Sequence, residues 1–259
     1  MFKEYKQVEG ANQVPPEKAA RKLAIGVYPA VLKPFAQGFH NSDNVFEARF
    51  SRLILEEKPL QFVGFWGVGG KQIPDQQDAR LLSELAAISQ AVELKYPKGA
   101  EISLIVADSH GQFNGYGNFD DYLSGVWHMA EERGIQPIAL SQLYEQSGLS
   151  LPNPQDDIDP SLESYQQIWS VARYSRQIEQ LIESAQRHSK AGVDPEIAAF
   201  HYVQMRHQEK AMLSQAFPNS AILVNGSKSL GKLTLPLDMP HMYLKVPPVW
   251  FHQGEPLEN

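Results

Sequence analysis

The chain of 259 residues contains no cysteine. This absence excludes a disulfide framework, zinc or iron–sulfur clusters held by thiolates, and catalysis by a cysteine nucleophile. Of the eight histidines, no two lie three or four residues apart, the spacing at which two imidazoles on one helix share a metal ion. We therefore expect neither a metal site nor a cofactor.

Long apolar runs and an excess of positive charge are also missing. No stretch reaches the roughly 18 consecutive apolar residues of a transmembrane helix, and the first residues lack the basic and apolar regions of a secretory signal. The net charge of −7 disfavours a groove that neutralises the phosphates of duplex DNA. We expect a cytoplasmic protein that binds neither membranes nor DNA.

What is present is the composition of a globular enzyme, with 42% hydrophobic and 20% charged residues. Apolar strand patterns alternate with amphipathic helix patterns in the first part of the chain. The predicted elements are strands at 59–66, 102–107 and 136–140, and helices around 81–92 and at 119–133. This alternation predicts an α/β fold with a Rossmann-like, mostly parallel sheet flanked by helices and joined by right-handed crossovers.

The segments before residue 59 carry two other patterns. Apolar residues at helical spacing predict a helix over 17–35. Phe46, Ala48 and Phe50 alternate with polar neighbours, which predicts a strand over 46–56 with one solvent-facing side.

The second part of the chain changes character at residues 151–160, which are acidic and rich in turn residues and predict a linker or lid. Beyond them we expect a helical segment and then strands that rejoin the sheet or form a small antiparallel unit beside it. The predicted elements are helices at 161–189 and 195–216 and strands at 221–224, 232–237 and 241–246. We predict an α/β core over 1–150, with 151–259 completing the same domain.

The first candidate site is the glycine-rich run Gly67–Lys71, directly after a predicted strand. Glycines let backbone N–H groups approach an anion, and Lys71 can pair with a phosphate or carboxylate or form a Schiff base. The run lacks the spacing of a Walker A loop and of a dinucleotide fingerprint. We expect Trp66, Gly69 and Gly70 to bind substrate here; the alternative is a tight turn with a solvated lysine.

The second candidate site is Asp108, Ser109 and His110, with Asn114 close behind. An aspartate beside His110 can orient the imidazole as a general base, and Asn114 can hold a carbonyl or carboxylate. Three consecutive residues cannot form a Ser–His–Asp triad, and the alternative role is helix capping by Asp108 or Asn114. Because carboxyl ends of parallel strands share one edge of a sheet, Lys71 and Asp108 should lie at the same edge.

Basic residues in the second part could bind a carboxylate or phosphate of the substrate. Solvated helix faces and an exposed hairpin turn are the alternatives. The candidates are Arg173, Arg206, Lys228 and Lys232, whereas the tryptophans Trp127, Trp169 and Trp250 are expected in the core.

Several short motifs together carry a resemblance to a known family. They are Lys71–Asp75, Tyr96–Ala100, Ala107–Phe113, Met205–Arg206, Phe217–Pro218, Ala221–Ile222 and Gly231–Pro236 leading to Pro247. Together they resemble the isocyanide synthases, the pyoverdine/dityrosine biosynthesis proteins, over about residues 60–145 and 200–250. Ile222 and Asn225 or their neighbours stand where the family has Arg and His, which indicates a divergent member.

The resemblance implies an α/β enzyme that acts on an amino acid, typically an aromatic one. It would join the amino group to a carbon of a pentulose phosphate and release an isonitrile without a metal. Lys71 would engage the sugar phosphate or its carbonyl, and Asp108 and His110 would handle protons at the amino acid.

Two other classes of function stay open. A tRNA-dependent cyclodipeptide synthase would also combine a Rossmann-like sheet with a helical flank, and it would take aminoacyl groups from charged tRNA. Its tRNA contact would be a modest basic stripe made of Arg173, Arg176, Arg187 and Lys190. A non-catalytic ligand-binding protein is the third class, and it leaves the polar residues at two strand ends unexplained.

Overall fold

A computed structural model describes residues 15–40, 43–67, 71–115, 119–154, 177–188, 192–225 and 238–245, together with 156, 163, 166–167, 169–170 and 235–236. The described helices are α1 (Pro16–Val27), α2 (Asp43–Leu55), α3 (Gln76–Glu93), α4 (Asp108–Phe113), α5 (Asp120–Glu131), α6 (Leu140–Ser147), α7 (Gln177–His188) and α8 (Pro195–Ala216). A π-helical turn, Tyr28–Leu32, extends α1. None of the described helices is long and apolar enough to cross a bilayer.

The described strands form one mixed sheet. They are β1 (Ala36–His40), β2 (Leu60–Trp66), β3 (Ala100–Val106), β4 (Gln136–Ala139), β5 (Ala221–Val224) and β6 (His241–Leu244). In the order β1-β6-β5-β2-β3-β4, every neighbouring pair is parallel except β1 with β6. The predicted α/β class with a mostly parallel sheet flanked by helices is confirmed.

Both faces of the sheet are covered, which explains why the central strands are continuously apolar. On β2, Phe62 and Trp66 pack on the face that α1, α2, α3 and α5 cover. Val63 and Phe65 point to the opposite face, which α4, α6 and α8 cover. Polar residues placed just after β2 and β3 can therefore reach either layer of helices.

The strand predicted over 46–56 is wrong, because these residues form α2. Phe46, Phe50 and Leu53 are fully buried and follow one another at spacings of four and three, so they form a single helical stripe. The alternation of Phe46, Ala48 and Phe50 on its own suits a strand equally well. Leu53 distinguishes the helix from the strand, because in a strand it would face away from Phe46 and Phe50.

The C-terminal strands enter the middle of the sheet. β5 pairs with β2 on one side and with β6 on the other. From β2 the chain passes through α3 to β3, which lies on the other side of β2 from β5. The carboxyl ends of β2 and β5 therefore flank a topological switch point, where open α/β sheets place their ligands. The division of the chain at residue 150 stays a prediction.

Close packing of α5 against the start of α3 depends on a glycine. A Cβ at Gly125 would lie 2.5 Å from Cγ and 2.8 Å from Cδ of Pro74. We expect Gly125→Ala to lower the free energy of unfolding by about 1–3 kcal/mol, because one of the two elements must shift. Urea unfolding measures the change, with Gly26→Ala in α1 as the control, since a Cβ there meets nothing within 4 Å. Alanine favours a helix over glycine by about 1 kcal/mol, so a gain in stability equal to that of Gly26→Ala would contradict this contact.

Candidate functional site

Lys71, after the carboxyl end of β2, is buried between two carboxylates. Its Nζ lies 2.8 Å from Oδ2 of Asp75 and 2.9 Å from Oδ2 of Asp78, and the lysine is 4% exposed. Asp75 caps α3 by accepting the N–H groups of Gln77 and Asp78, and Asp78 accepts the N–H of Asp75 in return. The ammonium therefore holds the start of α3, and the solvated-lysine alternative is wrong.

A chain of hydrogen bonds extends from this ion pair into the core. Trp66 donates its indole N–H to the Tyr122 hydroxyl (2.9 Å), which donates to Oδ1 of Asp78 (3.0 Å). Burial raises the pKa of Asp78, against the opposing hydrogen bonds from Asp75 and Lys71. Burial and the Asp78 carboxylate raise the pKa of Tyr122, so its hydroxyl stays a donor. Trp66, 1% exposed, lies within this network.

A second polar cluster lies on the opposite face of the sheet, where α4, α6 and α8 meet. Nε2 of His110 is 2.7 Å from Oε1 of Glu209, and the Tyr144 hydroxyl donates to the same oxygen at 2.9 Å. Nη1 of Arg206 donates to the other oxygen, Oε2. The Tyr202 ring stands edge-on to the imidazole, with 6.0 Å between ring centroids. Glu209 thus joins three elements at one fully buried carboxylate.

The charges around Glu209 keep it ionised in spite of its burial. Burial alone raises the pKa of Glu209, but the positive charge of Arg206 and the hydrogen bonds from His110 and Tyr144 outweigh that effect and lower the pKa to about 2. For Tyr144, burial and the adjacent carboxylate raise the pKa. At neutral pH the cluster therefore contains a carboxylate that accepts from a protonated phenol.

Arg206 has a hydrogen-bond donor, its Nε–H, that no described residue accepts from. The residue is 5% exposed, and its guanidinium carbon lies 4.5 Å from the centroid of the Phe65 ring. Its Nε is buried and has no hydrogen-bond partner among the described residues. A buried unpaired N–H costs about 1–3 kcal/mol, so this edge of the guanidinium favours an oxyanion that would accept from it.

Asn225 is another unpaired polar group at the switch point. It directly follows β5, beside the strand that ends at Trp66. Both atoms of its side-chain amide are buried without a partner in the described part of the chain. Two buried groups with unused hydrogen-bonding capacity thus lie near the carboxyl edge of the central strands.

Asp108 follows β3, as expected, but it contacts a different partner from the one predicted. Its carboxylate accepts the backbone N–H of Ser141 at 2.9 Å and also the Ser141 hydroxyl. It thereby ties α4 to the start of α6, while the carboxylate that contacts His110 is Glu209. Lys71 and Asp108 follow the neighbouring parallel strands β2 and β3, so both come at the same edge of the sheet.

Glu209 is the residue that the sequence reasoning missed. It lies 99 positions from His110, so no local motif joins them. A signal was nevertheless present in α8, where Arg206 and Glu209 share the buried side of the helix with Met205, Met212 and Leu213. Charged residues among core positions of a helix are rare unless they are paired.

A cavity of about 470 Å³ opens at the carboxyl ends of β3 and β4, against α5. Trp127, expected in the core, is half-buried and lines this cavity instead. Trp169, 2% exposed, does lie in a core cluster, whereas Trp250 lies outside the described residues. The lining residues are Val106, Asp108, Leu123, Ser124, Trp127, His128, Glu131 and Ala139.

The remaining predicted site residues divide into two groups. Asn114 is half-buried at the C-terminal cap of α4, where its N–H donates to the carbonyl of His110 at 3.0 Å. Gly69, Gly70, Arg173, Lys228 and Lys232 lie outside the described residues. The binding roles predicted for all of them stay predictions.

Comparison with known proteins gives a fold likeness and no sequence match. No family model and no curated protein matches the chain. The crystal structure of the PvcA protein from Pseudomonas aeruginosa matches at a TM-score of 0.51 with 16% identity, over 92% of this chain and 80% of that one. Two weaker matches are tyrosyl-tRNA synthetases.

One synthetase, from Archaeoglobus fulgidus with L-tyrosine, matches at a TM-score of 0.40 and 15% identity, over 89% of this chain and 64% of that one. The other, from Leishmania major with tyrosinol, matches at a TM-score of 0.42 and 12% identity, over 88% of this chain and 31% of that one. The likeness to PvcA concerns the fold alone, and the two synthetases add nothing to it.

Proposed function

We propose that this chain is an enzyme of small-molecule biosynthesis that acts on an amino acid. The observation that carries the proposal is the contact between His110 and Glu209 after the carboxyl end of β3, the edge at which α/β sheets bind ligands. A buried carboxylate on Nε2 fixes the imidazole ring and leaves Nδ1 to exchange a proton with a substrate. An imidazole held in this way can serve as a general acid or base.

Arg206 supplies the binding group in this proposal. Because Nη1 is already given to Glu209, the unpaired Nε edge is the part that can accept a second anion. A substrate carboxylate or phosphate on that edge would be held by charge-assisted hydrogen bonds. It would also lie close to the imidazole, since Glu209 contacts both residues.

The motif resemblance supports a more specific form of the proposal, the conversion of the amino group to an isonitrile with a carbon from a pentulose phosphate. In that form His110 takes a proton from the amino group, and Arg206 binds the amino-acid carboxylate or the sugar phosphate. The α/β architecture that the resemblance implies is the one the chain has.

In this proposal Lys71 positions the start of α3 and does not bind the substrate. Its ammonium already pairs with Asp75 and Asp78 in a buried site, and contact with a sugar phosphate would require both pairs to open. Of the basic stripe that the aminoacyl-tRNA alternative needs, Arg173, Arg176 and Lys190 lie outside the described residues.

The proposal is tested by high-resolution mass spectrometry of metabolites from cells with and without the protein, grown with isotope-labelled amino acids. We expect one labelled amino acid to be consumed and one labelled product to accumulate only where the protein is made. An isonitrile product has gained one carbon and lost two hydrogens. If purified protein with a pentulose phosphate consumes no amino acid and the cells show no new labelled product, the proposal is wrong.

A further inference from the structure

We propose that the cavity beside Trp127 is a separate binding site for an organic cation, a primary amine on an apolar or aromatic body. The cavity measures about 470 Å³, within the range of small-molecule sites. None of His110, Arg206 and Glu209 lines it. The inference is therefore independent of the function proposed above, and either can fail alone.

The charge of the lining selects the sign of the ligand. Two carboxylates, Asp108 and Glu131, line the cavity, and none of the described lining residues is a lysine or arginine. The imidazole of His128 also lines it, and its Nε2 lies 3.1 Å from the exposed carboxylate of Glu132. A cation entering the cavity meets two carboxylates without a permanent positive charge among the lining side chains.

The two carboxylates are held in place before a ligand arrives. Ser141 fixes Asp108 through its backbone N–H and its hydroxyl. The indole N–H of Trp127 donates to Oε1 of Glu131 at 3.0 Å, so the ring and the carboxylate orient each other. Groups that are already oriented lose little conformational freedom when a ligand binds.

The apolar part of the lining selects the body of the ligand. Val106, Leu123 and Ala139 contribute aliphatic surface, and Trp127 contributes an aromatic ring. An indole attracts a cation through its ring face, most strongly among aromatic side chains. The combination of one indole, three aliphatic residues and two carboxylates favours an alkyl- or arylammonium over a hydrated metal ion.

Isothermal titration calorimetry of the full chain with phenethylamine and with 2-phenylethanol tests the proposal. The two probes share their apolar body and differ in charge. We expect phenethylamine to bind roughly tenfold more tightly, about 1.4 kcal/mol, and its affinity to fall as salt concentration rises. Equal affinity of the two probes, or no binding of phenethylamine, would overturn the proposal.

Variants then assign the binding to the cavity. Glu131→Gln and Trp127→Leu should each weaken phenethylamine binding roughly fivefold, whereas Trp127→Phe should retain part of the affinity because it keeps a ring. Glu145→Gln is the matched control, since Glu145 is an exposed glutamate that is not part of the lining. Binding that Glu131→Gln and Trp127→Leu leave unchanged would place the amine elsewhere and contradict the proposal.

Discussion

Replacing His110 by Gln is expected to lower kcat by about 10²–10⁴-fold, the usual contribution of one acid–base group. Glutamine keeps a side chain that can hydrogen-bond to Glu209 but cannot exchange a proton, so the fold should persist while the chemistry is lost. The measurement is steady-state turnover of the amino acid identified by mass spectrometry, with the free energy of unfolding measured on the same preparation.

The matched control is His207→Gln, on the exposed side of the same helix that carries Glu209. It should turn over substrate at the wild-type rate. The pH profile separates a catalytic from a structural role, because the limb that reports the essential base should disappear in His110→Gln. Near-wild-type turnover in a well-folded His110→Gln protein would remove His110 from the mechanism.

Glu209→Gln is expected to reduce the free energy of unfolding by about 3 kcal/mol at pH 7, because the change leaves Arg206 as a buried charge without its counterion. Urea unfolding measures this loss. The double variant Arg206→Met with Glu209→Gln should recover part of it, since both charges are then gone. Glu132→Gln, at an exposed position, is the control and should change stability little.

The same variant has a defined pH dependence. The pKa of Glu209 is lowered to about 2 in the folded protein, against about 4.3 for an unperturbed glutamate. The carboxylate therefore stabilises the fold fully above about pH 4.3, and this contribution is lost as pH falls towards about 2. The gap in stability between wild type and Glu209→Gln should shrink over that window. A gap that stays constant down to pH 2 would contradict the buried ion pair.

The parts of the fold that follow from local pattern could be predicted from the sequence. β2 and β3 are apolar runs bounded by turn residues, and a strand buried on both faces has that pattern. The stripe of Phe46, Phe50 and Leu53 does not identify a helix from the sequence alone, because two of its three residues also fit a strand. Periodicity over so short a segment does not separate the two structures.

The candidate site was predictable only in part, for a physical reason. His110 and Asp108 could be found because they directly follow a buried strand. Their partners could not, because Glu209 and Ser141 come from helices distant in sequence and meet α4 only after the sheet has formed. The partners of Lys71 are close to it in sequence, but the Tyr122 hydroxyl that donates to Asp78 comes from 44 positions further along the chain.

The position of β5 and β6 inside the sheet has a consequence for synthesis of the chain. As the polypeptide leaves the ribosome, β2, β3 and β4 can pair with one another, but the other edge of β2 has no partner until residues 221–224 emerge. β1 waits still longer, for 241–244. An unpaired apolar strand edge is a template for aggregation, and pairings between residues so far apart in sequence form slowly. A nascent chain arrested before α8 therefore presents the central strand of the sheet as an open edge, and we expect this intermediate to be prone to aggregation.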